Sequence, residues 1–283
     1  MELSSPGAHV FCPGGRPRSD AFDGTRQLGV VAHADDLEIC AIKGILDCFE
    51  LAVPAFSGVV ICDGVGAPGQ AGFAGGSDDD YRRLRWDEQE RAATHGRYAA
   101  VVGLGHPSSD VKARREGVGR DLDALLREMT PEVVYTHNPV DAHDTHVAVA
   151  VELVEAIRRM PKGRRPNRVI GCEVWRDLDW LPQERRVVLD VGAHPALQQE
   201  LIGMFSSQTA GKRYDLAALG RRRAHATFLH ADREDTATGL VLGVDLTTLC
   251  EPGAPSVEEF SLELVDEFRR DVRERFARLR GGP

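Results

Sequence analysis

An apolar run from Leu28 to Ala32 passes with almost no loop into His33-Ala34-Asp35-Asp36, and a helical pattern through Ile39, Ile42 and Leu46 follows at once. The run reads as a buried strand, which puts the polar cluster at a strand's carboxyl end. In an open α/β sheet that edge is where ligands bind. Burying a histidine and two carboxylates without a partner is costly, and they are ligand types and bases that metal chemistry uses.

The same junction recurs. Glu132 to Thr136 reads as a strand that runs into His137-Asn138-Pro139-Val140-Asp141-Ala142-His143-Asp144-Thr145-His146, followed by a helix from Val147 to Met160. Between the junctions, Ser57 to Cys62 is a strand and Val65 to Asp80 a Gly-rich loop. Asp80 is expected to cap a helix to about Tyr98, Ala99 to Leu104 is a strand, His106 to Arg115 a loop, and Leu122 to Met129 lies on a helix. Strands alternating with helices imply right-handed crossovers and a mostly parallel sheet. Both clusters then fall on one sheet edge.

Beyond them, Arg168 to Trp175, Val187 to Val191 and Leu240 to Leu246 read as strands. Helices are expected from Pro195 through Phe205, over Leu216 to Leu229, and over Val257 to Leu279. The last carries a stripe of Phe260, Leu264, Phe268, Val272, Phe276 and Leu279, read as core packing with an oligomer contact as the alternative. The expected architecture is one α/β domain, a Rossmann-like, mostly parallel sheet with helices on both faces. Residues 1–25, with Pro6, Pro13 and Pro17, read as an irregular arm, 26–210 as the core, and 211–283 as a C-terminal α/β extension packed on it.

With 283 residues, 42% of them hydrophobic, a large core is within reach, and the net charge of −9 argues against a nucleic-acid or acidic-membrane partner. A small-molecule partner is expected, and the acidic balance suits a cationic one. Six scattered cysteines without a CxxC pair, and no run of 18 apolar residues, fit a cytoplasmic protein with reduced thiols.

His33, Asp36 and His146 together offer two imidazoles and a carboxylate, the three-ligand set of a catalytic zinc site with an open position. Asp35 is then placed as general base. His143, one helical turn before His146, is placed to meet an oxyanion or protonate a leaving amine. Asp141 orients His143 or makes a turn before it. The implied reaction is metal-assisted hydrolysis of an amide or ester.

These residues resemble the PIG-L/LmbE-like zinc-dependent N-deacetylases. The motif AHPDDxE appears as Ala32 to Glu38, the later HxxH motif as Asp141 to His146, a middle signature as Arg85 to Gly96, and a helix ending in Ser207-Gln208 follows Asp190. The resemblance implies an LmbE-like core and removal of acetyl groups from N-acetylglucosamine-containing molecules. It assigns metal binding to His33, Asp36 and His146, catalysis to Asp35 and His143, and the substrate side to Arg85, Asp63 and Asp141. For Arg85 the contact is a sugar or phosphate, against a helix-surface ion pair with Glu88 or another acid. Zinc is the implied cofactor, with Fe2+ as the alternative. Ala34, Thr145 and Gln198 depart from the family pattern without removing a ligand.

Arginine far outnumbers lysine, which occurs only as Lys43, Lys112, Lys162 and Lys212. That bias fits a GC-rich genome, where such family members serve thiol-cofactor or antibiotic biosynthesis. The expected substrate is an aminoglycoside-like or other glycosylated-metabolite intermediate. A different small-molecule amidase is one alternative. An iron oxygenase with the same triad is another, but such chemistry favours jelly-roll barrels. A dinucleotide-binding protein lacks GxGxxG at the first βα turn. For a non-catalytic binding module, Asp35 would be superfluous.

Overall fold

The computed structural model describes residues 3–65 and 76–281. Eight strands form one sheet: β1 (His9–Phe11), β2 (Gln27–Val31), β3 (Phe56–Cys62), β4 (Ala100–His106), β5 (Val133–His137), β6 (Arg168–Cys172), β7 (Arg186–Asp190) and β8 (Leu240–Asp245). Their order is β1-β4-β3-β2-β5-β6-β8-β7. Strands β4-β3-β2-β5-β6 run parallel. Chain order reverses between β2 and β5, and a crevice opens at such a switch point.

The helices are α1 (Arg18–Asp23), α2 (Asp36–Cys40), α3 (Ile42–Phe49), α4 (Asp78–His95), α5 (Ser108–Lys112), α6 (Glu116–Glu128), α7 (Asp144–Arg159), α8 (Pro195–Gly203), α9 (Ser206–Thr209), α10 (Tyr214–Phe228) and α11 (Val257–Arg280). Alternation along each strand feeds two apolar layers. Val30, Val59, Val102 and Val134 pack with Leu122, Leu125, Val149 and Leu153. Val31, Val60 and Val101 pack with Leu37, Ile45 and Leu201 on the other face.

Short α2 sits close on the sheet because two strand glycines admit Leu37. A Cβ at Gly29 would lie 2.6 Å from a Leu37 methyl, and one at Gly58 would also overlap that side chain. Leu37 is thereby fully buried, and it holds the start of α2, with Asp36, against β2.

Several boundaries differ from the sequence expectation. Residues 1–25 are not wholly irregular, since β1 pairs antiparallel with β4 and Phe22 of α1 is buried. Elements this short show no periodicity among prolines. The expected loop over His106 to Arg115 contains α5, and the strand from Arg168 stops at Cys172, leaving Val174 and Trp175 in a turn. Ser77, not Asp80, caps α4; the two form a reciprocal capping box. The expected Gly-rich loop from Val65 to Asp80 lies mostly outside the described residues.

The C-terminal stretch shares the main sheet, because β8 inserts between β6 and β7, antiparallel to both. From α10, Arg222 donates to Gln198 Oε1 (2.8 Å) and to the Glu38 carbonyl (2.7 Å), while His225 bonds Glu173. Gln198, one of the departures from the family pattern, thus anchors α10. The stripe of α11 is core packing only in its first half: Phe260 and Leu264 are buried, but from Phe268 to Arg280 every residue except Asp271 is exposed.

Candidate metal centre and its cleft

His33 follows β2 and His146 lies in the first turn of α7, so the sheet brings both junctions together at the switch point. Three atoms close a triangle. His33 Nδ1 lies 3.2 Å from Asp36 Oδ2, His146 Nε2 lies 3.3 Å from the same oxygen, and the two nitrogens are 3.2 Å apart. A tetrahedral cation with bonds of about 2.0–2.1 Å needs donors about 3.3 Å apart. The triangle therefore fits a divalent cation, and its N,N,O donors suit zinc and several neighbouring transition metals.

Two other groupings fall within reach of an ion, His33 with His143 and His146, and Asp36 with His137 and His146. Hydrogen bonding decides among them. His137 Nε2 accepts the Ala32 backbone N–H at 2.8 Å, so its lone pair is taken, and burial holds the ring neutral. Its ring stacks on His146 with centroids 3.8 Å apart, which fixes the plane of that imidazole. His143 uses Nδ1 to accept the Thr145 N–H at the start of α7, leaving Nε2–H for the cleft. Burial and the neighbouring imidazoles push His143 below its ordinary value, so it stands as a neutral donor.

Burial opposes a charge on His146, but Asp36 and Asp141 outweigh it and raise the group to about 9. Burial likewise opposes ionisation of Asp36, yet His146, His137 and the bond from His33 hold it well below the usual carboxylate range. The pair is thus a strongly coupled charge centre. Asp141 backs it: Oδ2 meets His146 Nδ1 at 3.5 Å and accepts the Trp175 N–H at 3.2 Å, and Oδ1 accepts the His143 N–H at 3.1 Å.

Asp35 takes the left-handed conformation, φ 79°, between β2 and α2. This kink separates the roles of two adjacent carboxylates, Asp36 turning to the imidazoles and Asp35 lining the cleft. Burial, then Asp36 and Glu38, raise Asp35 well above the ordinary carboxylate range, against the pull of Arg85 and His146. A carboxyl so perturbed beside a cluster of metal donors is suited to proton transfer.

The cleft encloses about 640 Å³ over His33, Asp35 and Asp36. Arg85 lines it and is buried, its Nη1 donating to the Gly64 carbonyl; among the described residues it makes no ion pair with Glu88. Glu88 accepts instead from Ser206 and Ser207. Two expected substrate contacts stand elsewhere. Asp63 binds Arg82 (2.9 Å) and the Val65 N–H, outside the cleft wall, and Asp141 lies behind His146. Both shape the site rather than line it, because their oxygens already serve buried or adjacent donors.

Sequence reading missed His137, Trp175 and the rim residues Lys112, Lys212, Arg213, Tyr214 and Arg221. For His137 a signal existed, its place at the end of the strand beside β2. For the rim no local pattern marks residues that reach the cleft from α5, from α10 and from the loop before α10.

Residues 28–157 match the family model described as PIG-L, GlcNAc-PI de-N-acetylase. That segment resembles a PIG-L domain. It carries both junctions and all three donors of the triangle. The chain also superposes on solved structures whose low identity speaks to the fold alone. A conserved protein, TT1542, of Thermus thermophilus gives TM-score 0.62 at 18% identity, covering 82% of this chain and all of that one. GalB, the 4-carboxy-2-hydroxymuconate hydratase of Pseudomonas putida KT2440, gives 0.57 at 16%, covering 78% and 96%. N,N'-diacetylchitobiose deacetylase of Pyrococcus horikoshii gives 0.58 at 16%, covering 77% and 83%. No curated protein matches by sequence. Gln208, past the matched segment, donates to the Ala34 carbonyl and ties the later helices to the first motif. Among the described residues no helix is long and apolar enough to cross a membrane.

Proposed function

We propose that this chain is a zinc-dependent N-deacetylase acting on an N-acetylated amino sugar within a small molecule. The observation that carries the reading is the triangle of His33, Asp36 and His146 with the perturbed carboxyl of Asp35 beside it at the cleft. A divalent cation held by those three side chains supplies Lewis acidity toward the amide and water.

The chain's own residues divide the rest. Asp35 accepts a proton from the water that adds to the acetyl carbon. His143 donates a hydrogen bond from Nε2 to the oxygen on which charge develops, and the proton taken up by Asp35 passes to the departing amine as the C–N bond breaks, leaving acetate and an amino sugar. Trp175, 42% exposed with its ring 6.2 Å from that of His143, offers an apolar face to a sugar ring.

The lining also bears on the rest of the substrate. Net charge alone favours a cationic ligand, yet among the described residues the cleft carries Arg85, Lys112, Lys212, Arg213 and Arg221 against only Asp35 and Asp36. Arg213 is paired with Asp215, and Lys212 lies over Trp175 at 4.6 Å. Our reading is an amino sugar bearing a carboxylate or phosphate substituent, in a thiol-cofactor or antibiotic-type intermediate.

Elemental analysis of purified protein, with amine release from N-acetylglucosaminides carrying neutral, carboxylate or phosphate aglycones, tests this. Expected are zinc near one per chain and faster release from the anionic compounds, with Lys212→Ala and Arg221→Ala raising KM for those alone. Absence of amine release from the whole panel overturns the deacetylase. Iron with oxygen consumption supports the oxygenase alternative. The hydratase among the structural neighbours and the cationic rim together favour a second reading, hydration of an unsaturated carboxylate, which loss of conjugated ultraviolet absorbance would reveal.

A further inference from the structure

The second half of α11 is largely exposed, although Phe268 at its start meets the Trp180 ring edge-on at 5.6 Å. From Phe268 to Arg280 only Asp271 is less than exposed, although Phe268, Val272, Phe276 and Leu279 continue the apolar stripe. Phe276 is 59% and Leu279 80% exposed, values that leave both side chains in water. A helical segment of about 12 residues without packing is marginal by itself. The stripe also continues along the outer side of the first half, where Leu262 and Val265 are exposed at 58% and 47%.

Charge along the helix is polarised. Residues 257–268 hold Glu258, Glu259, Glu263, Asp266 and Glu267 and no lysine or arginine, whereas 269–280 hold six arginines against Asp271 and Glu274. Arg185 pairs with Glu263 and Glu267, and the first half remains net acidic with it included. About a midpoint near Val272, an antiparallel second α11 overlaps from Leu264 to Arg280, setting the stretch of Arg273, Arg275, Arg278 and Arg280 with Glu274 over that of Asp266, Glu267 and Asp271 with Arg269 and Arg270; laid parallel, it would oppose the arginine-rich ends.

We propose that the protein is a two-fold symmetric dimer in which the α11 helices pair antiparallel about an axis near Val272. Isologous pairing is the commonest closure for identical chains. With that axis, Phe268 meets the partner's Phe276 and Val265 meets the partner's Leu279. A groove beside Phe268 and Val272, walled by Trp180 and Leu229, receives the partner's helix end. The proposal concerns a surface remote from the cleft and is independent of the reaction.

Light scattering on the eluting full chain should read about twice the 30.9 kDa chain mass. Phe276→Glu together with Leu279→Glu should read as one chain with an unchanged circular dichroism spectrum. Orientation has its own readout. Under mild oxidation Val272→Cys should link two chains, since its copies meet on the axis. Leu279→Cys should not, because a 1.5 Å rise per residue puts its copies about 20 Å apart, beyond the reach of a disulfide. A wild-type monomer, including one that instead sediments with anionic lipid vesicles, overturns the dimer. Linkage at Leu279 as readily as at Val272 overturns the antiparallel arrangement.

Discussion

Oδ2 of Asp36 lies 3.3 Å from Nε2 of His146, although one residue opens α2 behind β2 and the other sits in the first turn of α7 behind β5. Adjacent parallel strands place their following turns side by side, so a carboxylate from one and an imidazole from the other meet across the crevice. His33 completes the set from the same turn as Asp36, whose Oδ2 also accepts the His33 N–H at 2.8 Å.

His33→Ala, Asp36→Ala and His146→Ala should each lose bound metal, since two remaining donors compete poorly with water. His137→Ala should keep the stoichiometry, because that imidazole serves the Ala32 N–H. Elemental analysis after desalting checks this; a metal-free His137→Ala protein with normal folding would move His137 into the ligand set.

Asp141→Asn removes the carboxylate behind His146 while nearly preserving shape. Loss of such support typically weakens metal affinity by about 10- to 100-fold. Competition with a chromogenic chelator measures the change, and affinity equal to wild type would reduce Asp141 to a turn former.

Asp35→Asn should lower turnover by about 10²-fold or more, the usual worth of a general base, with metal content and folding near normal. His143→Ala should also lower turnover and retain metal, since its Nε2 meets charge that develops in the transition state. Metal loss in the Asp35 variant, or full activity in either, would reassign the role.

Glu38 predicts a stability slope. Burial pushes its carboxyl up to about 7, against the bonds from Tyr98 and Gln89. Unfolded, the group titrates near its ordinary value of about 4.3, so the folded state holds the proton more tightly. Its unfavourable contribution is absent below that value, grows as pH rises through the window to about 7, and is then constant. In metal-stripped protein, Glu38→Gln should therefore gain about 2 kcal/mol on wild type between pH 5 and pH 8. Urea unfolding at the two values gives the comparison, and an equal difference at both would refute the shift.

Sequence by itself determined the alternation of strands and helices, the parallel sheet, and the junctions bearing His33, Asp35, Asp36, His143 and His146. Hydrophobic period and motif spacing are local, and each survives in the chain without knowledge of its neighbours. Tertiary structure alone decided which imidazoles have a free lone pair, since His137 loses its own to the backbone N–H of Ala32, just past the end of the neighbouring strand. It also placed Asp63 on Arg82, Asp141 behind His146, and Glu88 on two serines from α9, leaving Arg85 to the cleft. The cationic rim is the same kind of fact. Lys212, Arg213 and Arg221 lie far along the chain from the motifs and reach the site because buried Arg222 and His225 clamp α10 to the core. Such long-range pairings are selected by packing and desolvation in three dimensions, and no periodicity along the chain encodes them.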